Sequence, residues 1–269
     1  MAVVTGAAGG LGLALTKRFH AAGMTVAMAD VDAEALGAAA GELGDRAYAV
    51  PTDVTDPESV ARLRRAVEDE LGPAYLLCNN AGVSGGTDPT WNLPLSVWQW
   101  IIEVNLMGVV HGIREFVPGM VERDRGHVVN TASVAGLISA FGGPYTTTKH
   151  AVVGLTDELR QELASIGSQV RVSALCPGFL RTRIAEAVRN WPTRLGPLPE
   201  QDERVTRFAQ ESVAGGGDPA EAAEEVYRAV IERRFWITPN ADGILPLIAE
   251  RTRSLLEGGE PPMLRLRTD

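Results

Sequence analysis

Short apolar runs alternate with stretches whose apolar residues recur every three or four positions, and the rhythm persists through most of the 269-residue chain. The runs predict strands at 2–5, 25–29, 46–50, 75–78, 127–131, 170–175 and 235–238. The helical period predicts helices over 11–22, 33–43, 57–70, 97–121, 145–165 and 220–233. Leu11, Leu15 and Phe19 share one face of the first helix, and Asp56-Pro57 opens the third with proline in its first turn. The long helix over 97–121 is expected to bend near Gly108 or Gly112. Alternation at this spacing argues for right-handed βαβ units and a parallel sheet covered by helices on both faces, an α/β fold. Such sheets bind ligands outside the carboxyl ends of their strands. The residues just after each strand are therefore candidates for function: 5–12, Asp30, Asp53, 79–82, Ser133, Pro177 and Gly178.

Two parts break the rhythm. Segment 179–217 follows a strand without returning directly and holds Trp191, Pro192, Pro197, Pro199 and the run Gly215-Gly216-Gly217. A segment that long inside a compact domain reads as a lid over a binding site. Segment 240–269 offers one amphipathic helix over 245–256 and a tail containing Gly and Pro. The tail's Met263, Leu264 and Leu266 have no core of their own and are expected to reach a neighbouring copy. The whole of 1–269 is read as one domain with these two additions.

Composition narrows the function. The chain is 45% hydrophobic, enough for a large core, and its net charge of −9 leaves no basic footprint for nucleic acid or anionic lipid. No apolar run is long enough to span a bilayer, and Met1 leads into a strand rather than a signal segment, so the expectation is a cytoplasmic protein. That strand has almost no lead-in, and a start upstream of Met1 stays open. Cys78 and Cys176 each end an apolar run and are expected to be buried thiols. The four histidines show no ligand spacing, and no metal site is expected.

Candidate chemistry centres on Tyr145 and Lys149, which share a helix face one turn apart. An ammonium near a phenol favours the phenolate. The basic residues are Arg except for Lys17 and Lys149, so an Arg-rich chain uses Lys at this position. Thr5-Gly6-Ala7-Ala8-Gly9-Gly10-Leu11-Gly12 joins the first strand to the first helix, where glycines let backbone N–H groups approach a phosphate. Asp30 ends the second strand and suits adenosine ribose hydroxyls, whereas Asp32 sits where the next helix needs a cap. Asp53 reads either as an adenine contact or as a turn residue. Asn79-Asn80-Ala81-Gly82 lets backbone lie along a flat ligand. Asn105, inside an apolar helical stretch, needs polar partners or a bound water. The Ser133 hydroxyl is placed to polarise a substrate oxygen.

Thr-Gly-x-x-x-Gly-x-Gly, Asn-Asn-Ala-Gly, Ser133, Tyr-x-x-x-Lys and Pro-Gly, in this order at strand ends, resemble the short-chain dehydrogenase/reductase family over about 1–238. The resemblance implies a Rossmann-like doubly wound sheet of seven parallel strands, a nicotinamide dinucleotide, and a catalytic set of Asn105, Ser133, Tyr145 and Lys149. In that set Tyr145 is the general acid/base. Lys149 lowers its pKa and binds the nicotinamide ribose, Ser133 bonds the substrate oxygen, and Asn105 holds a relay water. The implied cofactor contacts are Gly6, Gly10, Leu11, Gly12, Asp30, Val31, Asp53, Val54, Asn80, Ala81, Gly82, Tyr145, Lys149, Pro177, Gly178, Leu180 and Thr182, with the carboxamide at the Leu180 backbone and the Thr182 hydroxyl. Asp30, with no Arg or Lys in the turn, favours NAD over NADP. The expected substrate is a small apolar alcohol or carbonyl compound, because Trp91, Val134, Leu137, Phe141, Phe179 and Trp191 fall on pocket-lining segments; Arg181 and Arg183 leave an anionic group as an alternative. An NADPH-dependent reductase and a non-catalytic dinucleotide sensor are the rivals. The family also implies a homo-oligomer, tetramer or dimer, paired through the helices over 97–121 and 145–165.

Overall fold

The computed structural model describes residues 1–139 and 141–263. Seven strands form one sheet: β1 (Ala2–Thr5), β2 (Val26–Asp30), β3 (Ala47–Pro51), β4 (Leu76–Asn79), β5 (His127–Thr131), β6 (Arg171–Leu175) and β7 (Trp236–Ile237). Every neighbouring pair is parallel, in the order β3-β2-β1-β4-β5-β6-β7. The order reverses between β1 and β4, and at such a switch point a crevice opens at the carboxyl ends of the strands.

The nine α-helices among the described residues are α1 (Gly10–Ala21), α2 (Ala33–Leu43), α3 (Pro57–Leu71), α4 (Leu95–Ile102), α5 (Gly108–Glu122), α6 (Gly143–Ser165), α7 (Glu203–Ala214), α8 (Pro219–Glu232) and α9 (Leu245–Glu257). Strand side chains alternate faces, so a sheet covered on both sides needs apolar residues at every position. β1 shows this directly: Ala2 and Val4 enter a core with α1, α2 and α8, while Val3 enters the opposite core with α3, α5 and α6. Asp32, Asp56 and Asp218 cap α2, α3 and α8 by accepting from backbone N–H groups in the first turn.

The expected helix over 97–121 is divided. α4 runs into a π-turn at Glu103–Met107, and α5 begins at Gly108. The cause is local. Asn105 sits in the π-turn with its side chain buried, donating from Nδ2 to the Val83 carbonyl at 2.9 Å and accepting from the Val83 N–H at 2.8 Å. Gly108 lies against Val54, where a Cβ would sit 2.9 Å from the valine Cγ2.

Within 179–217 the chain forms two 3-10 segments, Ile184–Asn190 and Thr193–Leu195, and then α7. The helix α7 is absent from the sequence expectation, although Asp202 caps it and Val205, Phe208, Ala209 and Val213 follow the helical period. The C-terminal helix lies where the sequence placed it, as α9. Met263 is exposed, and Leu264 and Leu266 lie outside the described residues. Among the described residues, no helix is long and apolar enough to cross a membrane.

Candidate active site

The turn after β1 is built for close backbone approach. Gly6 adopts φ +67°, and a Cβ there would stand 2.9 Å from the Ala81 Cα; Gly10 adopts φ +53°, and a Cβ there would stand 3.1 Å from the Thr182 Cβ. A Cβ on Gly12 would run into the Gly6 carbonyl and Asn80. Among the described residues, no side chain caps the first turn of α1, so its N–H groups point into the crevice at the positive end of the helix. Thr5, which the sequence places at the head of the glycine turn, has a role there that the sequence did not assign. Its Oγ1 accepts from the N–H groups of Asn80 at 2.9 Å and Ala81 at 3.0 Å, and Asn80 Nδ2 donates to its carbonyl at 3.0 Å. Thr5 thereby fastens the turn after β4 to the glycine turn.

Asp30 reaches the same turn. Its Oδ2 accepts from the Ala8 N–H at 3.0 Å and its Oδ1 from the Asp32 N–H at 3.1 Å, and Val31 beside it is exposed. Asp32 caps α2, as its position implied. Arg18 stacks over Tyr227 at 3.4 Å and pairs with Glu224 at 2.5 Å, away from Asp30. Asp53 accepts from the N–H and hydroxyl of Thr55, which is a turn role, and Val54 is buried at the π-turn. Leu11 is buried in the core, which leaves its backbone to face the crevice.

The reacting groups gather on the other side. Tyr145 and Lys149 lie on α6, one turn apart. Lys149 is 3% exposed, and its Nζ donates to the Thr131 carbonyl at 2.9 Å, 5.6 Å from the Tyr145 ring centre. The Ser133 hydroxyl donates to the Pro177 carbonyl at 3.5 Å, its oxygen accepts from the Ala135 N–H at 3.1 Å, and it lies close enough to the Tyr145 phenol to pull its pKa down. A Cβ on Gly82 would lie 3.4 Å from Asn105 Oδ1 and 3.5 Å from Lys149 Nζ, so the turn after β4 touches both. Asn105 Nδ2 also lies 3.3 Å from the Thr148 hydroxyl, on the same helix.

Burial dominates the electrostatics. It pushes the Lys149 ammonium down to about 8. It also raises the Tyr145 phenol above its ordinary value, with the Ser133 hydrogen bond pulling less strongly the other way. Desolvation of the phenolate is the largest influence on Tyr145, and Lys149 is not among the causes of its shift. Cys78 and Cys176 are both buried, and burial drives the Cys176 thiol up to about 12.

The turn after β6 closes the crevice. The Val134 N–H donates to the Pro177 carbonyl at 3.0 Å, and Gly178 fits against Asn240 with no room for a Cβ. Gly217 bridges to Leu180 by accepting from the Arg181 N–H and donating to the Phe179 carbonyl, each at 2.9 Å. That pattern turns the N–H and C=O of Leu180 itself away from Gly217. The Thr182 side chain stands where a Cβ on Gly10 would crowd it. The glycine cradle, Asp30, Leu180 and Thr182 thus fit a dinucleotide laid across the switch point.

The proposed pocket aromatics separate. Phe141 and Phe179 form an edge-to-face pair at 5.8 Å. Trp191 instead packs on Trp100 at 5.2 Å, in a cluster with Val83, Val97 and Ala187, and Trp91 is 84% exposed. Arg181 pairs with Asp218 and Arg183 with Glu186, each at 3.1 Å.

This geometry agrees with what the chain is similar to. The model of the family described as short chain dehydrogenase matches residues 1–193. The protein belongs to the short-chain dehydrogenase/reductase family. Among curated relatives, the 1-deoxy-11-beta-hydroxypentalenate dehydrogenase of Streptomyces exfoliatus is 39% identical over 252 residues, 91% of this chain and 85% of that one. The C alpha-dehydrogenase of a Sphingobium species is 35% identical over 246 residues, 89% of this chain and 80% of that one. A crystal structure of a short chain dehydrogenase/reductase from Burkholderia phymatum in complex with NAD matches with TM-score 0.94 at 36% identity, covering 98% of this chain and 96% of that one. The protein is accordingly an oxidoreductase of hydroxyl and carbonyl compounds that works with a nicotinamide cofactor.

Proposed function

We propose that the protein is an NAD-preferring dehydrogenase of an uncharged, apolar alcohol, or the reductase of the matching ketone, with Asn105, Ser133, Tyr145 and Lys149 as its catalytic set. The observation that carries this reading is the meeting of Ser133, Tyr145 and Lys149 beside the turn that holds Asp30. A bound nicotinamide dinucleotide supplies or accepts the hydride. The Ser133 and Tyr145 hydroxyls bond the substrate oxygen as its charge changes, and Tyr145 exchanges the proton with it. The Lys149 ammonium, with a pKa near 8, stays largely protonated at neutral pH and supports a phenolate when the alcohol is oxidised. Asn105 fixes Val83 and the turn after β4 against α6. A proton relay of this kind is unnecessary in a dinucleotide sensor, which weighs against that alternative.

NAD preference is supported by Asp30, which would face a 2′-phosphate with like charge, and by the engagement of Arg18 with Glu224 and Tyr227 on α8. At about 4 Å and an effective dielectric near 20, two unit charges repel by about 4 kcal/mol, so a preference of roughly ten- to a thousandfold is expected after screening. An apolar substrate is supported by Phe141 and Phe179 and by the ion pairs that occupy Arg181 and Arg183. The relatives' names include 3beta-hydroxysteroid dehydrogenase 2 of Eggerthella lenta, 37% identical over 193 residues. We also propose a homo-oligomer and a lid over 179–217 whose first part is docked on α4. The test is kcat/KM with NAD and with NADP over secondary alcohols graded from cyclohexanol to fused-ring alcohols, repeated with Asp30→Ala. Rising activity with apolar size and a ratio that collapses in Asp30→Ala are expected. Equal use of both cofactors by the wild type, or a ratio untouched by Asp30→Ala, contradicts the assignment.

A further inference from the structure

We infer that Arg251, on α9, is a positioning residue that staples the Ser133 turn to the start of α6. The inference rests on the roles proposed above for Ser133 and Tyr145. Burial explains little of why α9 lies where it does: none of its residues is fully buried, and Leu255 and Leu256 are more than three-quarters exposed. A cavity of about 390 Å³, lined by Leu137, Ile248, Leu255 and Pro261 among others, borders the contact. Arg251 spans it. Its Nη1 donates to the Leu137 carbonyl at 2.5 Å and lies 3.2 Å from His150 Nε2. His150 Nδ1 is 3.0 Å from the Thr146 carbonyl, which can only accept, so Nδ1 carries the ring proton and Nε2 offers its lone pair to the guanidinium. The two hydrogens of one guanidinium nitrogen are thus matched to two acceptors.

Both acceptors adjoin reacting groups. Leu137 closes the 3-10 turn Val134–Gly136, whose N-cap is Ser133. The turn is tight: the Leu137 N–H donates to the Val134 carbonyl at 2.9 Å, and the Ala135 N–H to Ser133 Oγ at 3.1 Å. His150 follows Lys149, and its bond to Thr146 lies in the first turns of α6 beside Tyr145. On its inner side the turn rests on α6, where a Cβ on Gly136 would come within 2.5 Å of the Lys149 carbonyl oxygen. On its outer side the guanidinium holds Leu137. The separation of the Ser133 and Tyr145 hydroxyls depends on this turn keeping its place, and a charge-assisted donor of fixed planar geometry restrains its direction as well as its distance.

The full-length protein tests this with the alcohol that turns over fastest in the graded series. Arg251→Ala is expected to lower kcat/KM for that alcohol by about ten- to a hundredfold, the usual consequence of a reacting group displaced by about an ångström. NADH affinity, read by fluorescence titration, should stay within about twofold, because most of the expected dinucleotide contacts lie on the turns after β1, β2 and β4, outside the turn that Arg251 holds. In the protein without cofactor, amide exchange over 133–138 should accelerate. Millimolar ethylguanidinium should restore turnover where ethylammonium does not. Arg253→Ala, at an exposed position on the same helix, should change neither readout. Arg251→Lys keeps the charge without the planar fork and should fall between wild type and Arg251→Ala; it serves also if the alanine variant does not fold. Unchanged kcat/KM with unchanged exchange overturns the proposal, as does a parallel loss of NADH affinity or equal rescue by the two amines. Turnover surviving in Tyr145→Phe would instead overturn the reading of the site, whatever Arg251 does.

Discussion

Lys149 illustrates how a single residue serves the site at the expense of the fold. Folding moves its ammonium from water into a position 3% exposed, with the Thr131 carbonyl as acceptor, and burial depresses its pKa from 10.5 to about 8. The sign is fixed by that direction. The unfolded chain holds the proton more tightly, so the penalty is complete below pH 8 and is relieved as pH rises toward 10.5. Lys149→Met should therefore fold at least as stably as wild type at pH 7 while losing turnover, and wild type should gain stability relative to it between pH 8 and 10.5. Denaturant melts at pH 7 and pH 10 measure this. A variant markedly less stable than wild type at pH 7 would mean that Lys149 supports the fold. Tyr145 obeys the same physics from the other side: burial raises its phenol, and the Ser133 hydrogen bond pulls less strongly the other way.

Among the elements, the sheet and its covering helices were legible because their signals are local and redundant. β1 is a bare apolar run, α3 opens with Asp56-Pro57, and the turns after β1, β4 and β6 place a glycine or amide at the strand end. The π-turn was not legible, since Asn105 announces a need for partners without saying that Val83 supplies them by shifting the helix register. Thr5 was legible as part of the glycine turn, but not the role of its hydroxyl, which acts across to Asn80 and Ala81, far away in sequence. The helix α7 was hidden by the prolines before it and the glycines after it, which outweighed a regular apolar spacing. Trp191 looked like a pocket residue because a lid aromatic can face either way, and Trp100 decides which. That contact, with Arg194 on Glu103 at 2.6 Å and Ser84 on the Ile184 carbonyl at 2.7 Å, docks the first half of 179–217 on α4 and its surroundings. The second half has fewer ties: Asp202 reaches Thr87, and α7 buries only Val213. Hydrogen exchange should show 184–195 already protected without ligand and 196–217 gaining protection when NAD and product bind. Unchanged exchange across 196–217 would count against a lid.

At the scale of the whole molecule, the crevice at the switch point between β1 and β4 has the glycine turn on one side and Ser133, Tyr145 and Lys149 on the other, and a Cβ on Gly82 would come close to both Asn105 and Lys149. The proposed homo-oligomer pairs the segments 97–121 and 145–165, which form α4, α5 and α6. Light scattering at micromolar concentration should return a multiple of 28.7 kDa, and a mass equal to that of one chain would refute the oligomer. The central claim is that Tyr145 moves the proton while the dinucleotide is held by other residues, and Tyr145→Phe separates these functions because it keeps the ring and removes the hydroxyl. NADH titration and NAD-linked alcohol oxidation, measured on the same preparation, should show cofactor affinity within about twofold of wild type and kcat reduced by at least about a hundredfold. Near-wild-type turnover in Tyr145→Phe would contradict the account.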